Sequence, residues 1–315
     1  MVRLFMNNHR FNSKITCAYL YPISKYGYPP DIRNTRDHIK EMAGMGFTSI
    51  ELEGIGKQNI DHLFKNKIEI AEILAEYGCT LPVLCIVLPQ LSFVDNAKHC
   101  EGLELFEAGC EVARCLGASA VLDNGPLLNL ASPDGAQIKR HYSQEHLLKS
   151  GLPQGFEWTE YWGNLISTYK KACVTASKYE LNYQMHPCEG SLITGTDSFI
   201  NFSEAVDSPN LLFNLDTANQ YYFRDNLALS VLRLSGKINY IHISDNTGTR
   251  VEHLVPGDGN INWNLFFTAL QKIEYKGKFA IDVGGDETGI ENIDDAYTRS
   301  ANWLDEQLHQ YSLNN

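Results

Sequence analysis

The chain is short of positive charge. Lys and Arg number 26 against 38 Asp and Glu, for a net charge of −12. No arginine-rich stripe and no run of basic residues is present. A face for the phosphate backbone of a nucleic acid is therefore not expected. Long apolar runs are missing too. The longest, Leu81–Leu88, falls far short of the roughly 20 residues a membrane-spanning helix needs. The opening residues, Met1 to Arg10, lack an apolar stretch of signal-peptide length, so a cytoplasmic location is expected. None of the eight cysteines forms a Cys-x-x-Cys pair, which removes a zinc knuckle. Cys110 and Cys115 fall in an amphipathic helical pattern, and Cys79 and Cys85 flank or enter an apolar strand. Without a secretory signal, buried unpaired thiols are expected rather than disulfides. Nothing resembles a Gly-rich phosphate cradle, so free and phosphorylated ligands are not distinguished.

What is present is a rhythm. Short continuous apolar runs alternate with segments of helical periodicity, as in a parallel sheet buried on both faces. The expected strands are Ile15–Leu20, Phe47–Leu52, Leu81–Leu88, Ala118–Leu122, Leu181–Met185, Leu211–Leu215, Lys237–Ile243 and Phe279–Val283. Helices are expected between them, including Phe199–Val206, Leu227–Leu234, Trp263–Ile273 with Asn262 as N-cap, and Ile293–Leu308. Tyr21–Pro30 reads as a Tyr/Pro-rich loop. Eight strands alternating with eight helices select a (β/α)8 TIM barrel over an open doubly wound sheet. Such a barrel takes about 250 residues. With 315 residues and no visible linker, one domain over 1–315 with one sizeable insertion is the simplest division.

The insertion follows the fourth strand. From Pro126 to about Glu160 the alternation stops, and Phe156, Trp158, Tyr161 and Trp162 cluster at its end. A loop this long in a compact domain is usually functional or disordered, and so many large rings argue against disorder. A lid over the site, with Trp158 meeting the substrate, is the preferred reading. A surface excursion tied down by its own aromatic cluster is the alternative.

Catalytic groups in such barrels stand at strand C-termini and in the loops that follow. Those positions hold Glu51, Glu53, Gln90, Asp123, Gln184, His186, Glu189, Asp216, His242, Asp245 and Asp282. Gln184 and His186 point the same way, because side chains alternate along a strand. Carboxylate and imidazole donors with open positions suit manganese, magnesium, zinc or cobalt acting as a Lewis acid. Plainer roles are also open. Asp216 and Asp245 are placed to cap following helices, Glu51 and Glu53 to pair with Lys57, and His253 is either a loop residue or a substrate contact.

Five phrases carry a resemblance over most of the chain: Gly46-Phe-Thr-Ser-Ile-Glu-Leu-Glu53, Gly117-Ala-Ser-Ala-Val-Leu122, Phe213-Asn-Leu-Asp216, Tyr240-Ile-His-Ile-Ser-Asp245 and Gly257-Asp-Gly-Asn-Ile-Asn-Trp263. In this order and spacing the chain resembles the xylose isomerase-like barrels of the sugar phosphate isomerase and epimerase group. The resemblance implies one divalent ion, Mn²⁺ first, held by a glutamate, an aspartate, a histidine and a glutamate ending strands five to eight. Asp216 and His242 match two of these positions. Gln184 takes the fifth-strand position and Asp282 the eighth, so Glu189, folding back after Pro187, is the candidate for the missing carboxylate. The implied ligand set is Glu189, Asp216, His242 and Asp282. Gln184, Glu53, Asp245, His253 and Trp158 are the candidates for holding substrate.

In the epimerases of this group the two glutamates also act as the acid/base pair. With both replaced, a one-base reaction is expected: a base removes the proton beside a polarised carbonyl, giving an enediolate that isomerises or expels a leaving group. His186 suits that role, with Glu189 beside it. His186-Pro-Cys-Glu189 is also similar to a phrase in the catalytic subunits of C-glycoside deglycosidases. That similarity adds elimination from a 3-keto-glycoside as an alternative, and a small partner subunit or a homo-oligomer as a possible assembly. A nuclease on a similar barrel is opposed by the acidic charge and the scarcity of strand-end histidines. An inactive barrel serving as a binding subunit is consistent with the replaced glutamates.

Overall fold

The strand-forming segments are rich in apolar residues because each is buried on both faces, inside by the barrel and outside by helices. A computed structural model describes residues 10–127, 143–152 and 154–314. It contains β1 (Ile15–Cys17), β2 (Leu52–Ile55), β3 (Val83–Val87), β4 (Ala120–Asp123), β5 (Asn182–Met185), β6 (Leu211–Asp216), β7 (Ile238–Ile243) and β8 (Lys278–Ile281). All neighbouring pairs are parallel, in the order β1-β8-β7-β6-β5-β4-β3-β2. Closure between β1 and β2 rests on a narrow seam. Cys17 bridges Ile50, with Cys17 N–H donating to Ser49 O at 3.0 Å and Glu51 N–H to Cys17 O at 2.9 Å. The result is the expected (β/α)8 barrel. No helix among the described residues is long and apolar enough to cross a membrane.

Large aromatic side chains fill the layer between the strands and the helices. Phe106, Tyr169, Tyr183, Phe199, Phe213, Phe266 and Phe267 are all essentially fully buried there. Each such ring removed from water contributes about 1.5–3 kcal/mol. The barrel interior is chemically divided. Its wall at β2–β4 is largely apolar, with Ile55, Val83, Cys85, Val87, Ala120 and Leu122 packed together. The buried polar groups Gln184, Asn214, Asp216, His242 and Asp282 belong to the opposite wall, β5–β8. The site is therefore biased to one side of the barrel mouth.

The departures from expectation are local. β2 lies at Leu52–Ile55 rather than Phe47–Leu52. Glu51 and Glu53 look like strand-ending charges, but both are buried along the inner face of this segment. Ser49 and Ile50 make only isolated bridges, to Thr80 and Cys17. The expected loop after β1 contains a helix, Leu20–Tyr26, ended by Gly27 at φ 88°. Pro22 is its third residue, in the first turn, where a missing N–H is tolerated. A further short helix, Thr217–Tyr222, follows β6 directly. Asn262 caps Trp263–Lys272 as expected, accepting from Leu265 N–H. All eight cysteines fall among the described residues and are unpaired.

The centre of the insertion, 128–142, lies outside the described residues. The ends of the expected lid are described. Leu127 bridges Ser191, a short helix covers Gln144–Lys149, and Trp158 starts the helix Trp158–Lys178. The aromatic cluster does form. Trp158 stacks on Trp162 at 5.5 Å between ring centroids, Phe156 meets Tyr161, and the Tyr161 hydroxyl donates to Ser92 O at 2.9 Å.

Candidate functional site

Four adjacent strands deliver four potential ligands to one point. Asp216 ends β6 and His242 lies near the end of β7, while His186 and Asp282 each follow directly on β5 and β8. One donor atom from each lies within 4.8 Å of every other, and all four residues are buried. Three of them are expected ligands. The fourth member of the cluster is His186; Glu189, the expected carboxylate, is not among the four but lines the cavity beside them. Gln184 is also displaced from the role given to it. It faces the same way as His186 but two residues earlier, roughly 6.6 Å down the strand. There its amide donates to Asn239 Oδ1 at 2.6 Å, and it does not line the cavity above.

The bonds around this point are specific. Asp216 does two things at once. Its Oδ1 accepts Asn219 N–H at 2.7 Å, capping the helix that follows, while its Oδ2 faces His186 Nε2 at 3.0 Å. Burial pushes the Asp216 carboxyl upward, but the histidines around it, His186 foremost, outweigh burial and hold it low. His242 Nε2–H donates to Glu51 Oε1 at 2.9 Å. Burial disfavours the imidazolium of His242, yet Glu51 and Asp282 overcome that and raise its pKa to about 10. Glu51 itself is held below the usual carboxylate range. Burial opposes this, but His242, Tyr240 and the Tyr19 N–H outweigh it.

These features fit a divalent cation. Glu51, Glu53, Glu189 and Asp282 line the cavity, and no Lys or Arg does so among the described residues. Gathered carboxylates without a cation are costly in a buried place, and in the metal-free protein the His242 proton is the available counter-charge. The Nδ1 atoms of His186 and His242 are buried without a hydrogen-bond partner, a condition a metal–ligand bond relieves. Binding must displace the His242 proton. Apparent metal affinity should therefore rise with pH below about 10. Calorimetry in buffers of different ionisation enthalpy should find about one proton released per ion at pH 7; pH-independent affinity would contradict this.

The cavity above the cluster is lined on one side by Tyr19, Leu20, Ile23, Tyr28, Val87 and Leu122, and on the other by His186, Glu189, Asn219, His242, His253 and Asp282, with Glu53 at β2. Glu53, Glu189 and His253 are thus brought to the site. His253 also joins two loops: its Nδ1 lies 3.3 Å from Glu287 Oε1 and its Nε2 3.8 Å from Asp282 Oδ2. Lys57 pairs with Asp61, not with Glu51 or Glu53. Trp158 is half exposed and does not line the cavity. The sequence gives no sign of Tyr19 and Tyr28, which lie in stretches that read as a strand end and a Tyr/Pro-rich loop.

Asp245 is likewise absent from the lining. It caps no helix; it organises the loop after β7. Its carboxylate accepts N–H groups from Asn246, Gly257 and Ile261 and the Trp263 indole N–H, at 2.8 to 3.1 Å. The Gly-x-Gly-x-Ile-x-Trp phrase is therefore a set of donors wrapped around one acid. Asp245→Ala would orphan these donors, and bonds to a charged group are worth about 1.5–3 kcal/mol each. It should lower the melting temperature by several degrees without removing any of the four clustered ligands. Unchanged melting would contradict this structural role.

Comparisons with known proteins agree with this architecture. The profile of the Xylose isomerase-like TIM barrel family matches residues 39–307. An L-ribulose 3-epimerase of Methylomonas sp. (strain DH-1) is 27% identical over 106 residues, 34% of this chain and only 32% of that protein. An L-ribulose 3-epimerase of Mesorhizobium japonicum is 24% identical over 230 residues, 71% of this chain and 68% of that one. Among solved structures, a 3-keto-D-glucoside 4-epimerase from E. coli superposes with a TM-score of 0.69 at 16% identity, covering 92% of this chain and 98% of that one.

Proposed function

Because the chain belongs to the xylose isomerase-like TIM barrel family, we propose that it is a divalent-metal-dependent carbohydrate enzyme that removes a proton beside a sugar carbonyl, as an epimerase or isomerase. The observation that carries this is the convergence of His186, Asp216, His242 and Asp282 at the mouth of the barrel. The names of its relatives, L-ribulose 3-epimerase and 3-keto-D-glucoside 4-epimerase, support a sugar substrate.

The four clustered residues would hold the ion. Two imidazoles and two carboxylates suit Mn²⁺ first, with Co²⁺, Zn²⁺ and Mg²⁺ as alternatives. When bound, the ion supplies Lewis-acid polarisation of a sugar oxygen. In this reading His186 is a ligand, not the base that its sequence position suggests. The proton passes to Glu189, which follows it by three residues and lines the same cavity. Glu53, contributed by β2, supplies a second carboxylate from another part of the wall. A two-base epimerisation needs two proton-handling groups, and in this reading Glu189 and Glu53 are the carboxylates that would serve. In this reading Asn219 and His253, which line the cavity, bind sugar hydroxyls, and Tyr19, Tyr28 and Leu122 cover the less polar edge of the sugar. Elimination from a 3-keto-glycoside would begin with the same proton transfer and differ only in the departing group.

The test is a substrate panel with Mn²⁺-loaded protein: L-ribulose, its phosphate ester and 3-keto-D-glucosides, followed by NMR for epimer or eliminated product. Epimerised sugar supports the proposal, and a released aglycone moves it to the lyase form. No turnover, with no metal bound, would leave a binding barrel.

A further inference from the structure

Glu51 has no assigned task in this chemistry, yet it is one of the most firmly held side chains near the site. It is 3% exposed, and both carboxylate oxygens are engaged. Oε1 accepts His242 Nε2–H at 2.9 Å and Oε2 accepts the Tyr19 N–H at 3.1 Å. Two bonds at two oxygens fix the plane of the carboxylate, and with it the plane of the imidazole. The ring is held from other sides too. Tyr240 meets it edge-on at 5.7 Å, and His186 lies 5.1 Å away. What this leaves is Nδ1, buried and without a hydrogen-bond partner. It lies 3.7 Å from Asp282 Oδ2 and 3.8 Å from Asp216 Oδ2. These separations are too long for hydrogen bonds. They match the roughly 3 to 4 Å between donors sharing one ion at about 2.0–2.2 Å each.

We infer that Glu51 is a positioning residue: it holds the Nε2 proton of His242, so that Nδ1 is the nitrogen presented to the divalent ion. The inference rests on the metal centre proposed above and assigns an atom and an outer partner to it. A histidine ring has two nitrogens, and the proton on one decides which lone pair is free. A carboxylate on the far nitrogen fixes the tautomer, orients the ring and makes the ligand more basic. Glu51 also stands at the seam where β1 and β2 close the barrel through Cys17, so the ligand's orientation is tied to barrel closure. From sequence Glu51 reads as an ordinary strand-end acid, because its partner is 191 residues away.

The experiment uses wild-type, Glu51→Gln and Glu51→Leu protein with Co²⁺ and Zn²⁺ as probes. Long-range ¹H–¹⁵N spectra of the Zn²⁺-loaded wild type should show His242 metallated at Nδ1 and protonated at Nε2. Glu51→Leu should weaken Co²⁺ binding about 10- to 100-fold, the usual effect of losing such a partner, and shift the visible Co²⁺ bands. Glu51→Gln keeps an accepting oxygen without the charge, so its loss should be smaller. Zinc on Nε2 would overturn the inference, as would wild-type Co²⁺ affinity and spectrum in both variants; either result leaves the metal centre standing. Wild-type protein that binds neither ion overturns the metal centre and this inference together. Should Glu51→Leu fail to fold, the wild-type spectra and Glu51→Gln decide.

Discussion

Asp216→Asn should empty the metal site while leaving the barrel folded. The asparagine oxygen can still accept Asn219 N–H, so the helix cap survives. The lost charge removes one of the two carboxylates in the cluster. Metal content measured on purified protein should fall from about one ion per chain to near zero. Turnover of the sugar substrate should fall by at least about 10³-fold, since a Lewis acid supplies several kcal/mol to the transition state. Asp216→Ala should add about 1 kcal/mol of destabilisation through the lost cap. His242→Ala should also lose the ion. Chelation of the wild type should reproduce the catalytic defect, and added Mn²⁺ should reverse it. Full metal content in Asp216→Asn would contradict the assignment of this residue.

The second large effect separates two roles that sequence position confuses. If Glu189 is the base, Glu189→Gln should keep its metal and lose about 10²- to 10⁴-fold in turnover, the range for removal of a general base. His186→Ala should lose the metal itself. A base at His186 gives the reverse pattern: metal retained in His186→Ala, and near-normal turnover in Glu189→Gln. Metal content and rate, measured on the same preparations, distinguish the two.

Much of this was legible before any coordinates. The buried runs at β3, β6 and β7 announce themselves because a strand covered on both faces has few polar positions. Asp216, His242 and Asp282 follow from the rule that barrel sites stand at strand ends. What the sequence concealed is depth. Gln184 and His186 face the same way, and only their height along β5 decides which reaches the cluster. Imidazole chemistry suggests a base at His186, and only the structure shows that its Nε2 faces Asp216. The bounds of β2 are hidden for a related reason: Glu51 and Glu53 are charged residues that look like an end but are buried on the inner face. The role of Asp245 depends on donors up to 18 residues away, which no local pattern shows. The place of Trp158 after β4 suggests the site, whereas its ring packs on Trp162.

If the four clustered residues hold the ion that makes proton abstraction possible, hydrogen exchange at the carbon next to the carbonyl of L-ribulose in deuterated water reports on that step. Mn²⁺-loaded protein should wash deuterium into that position. The same protein stripped of metal, and Asp216→Asn under either condition, should not. Exchange at an undiminished rate in the metal-free protein would contradict the account.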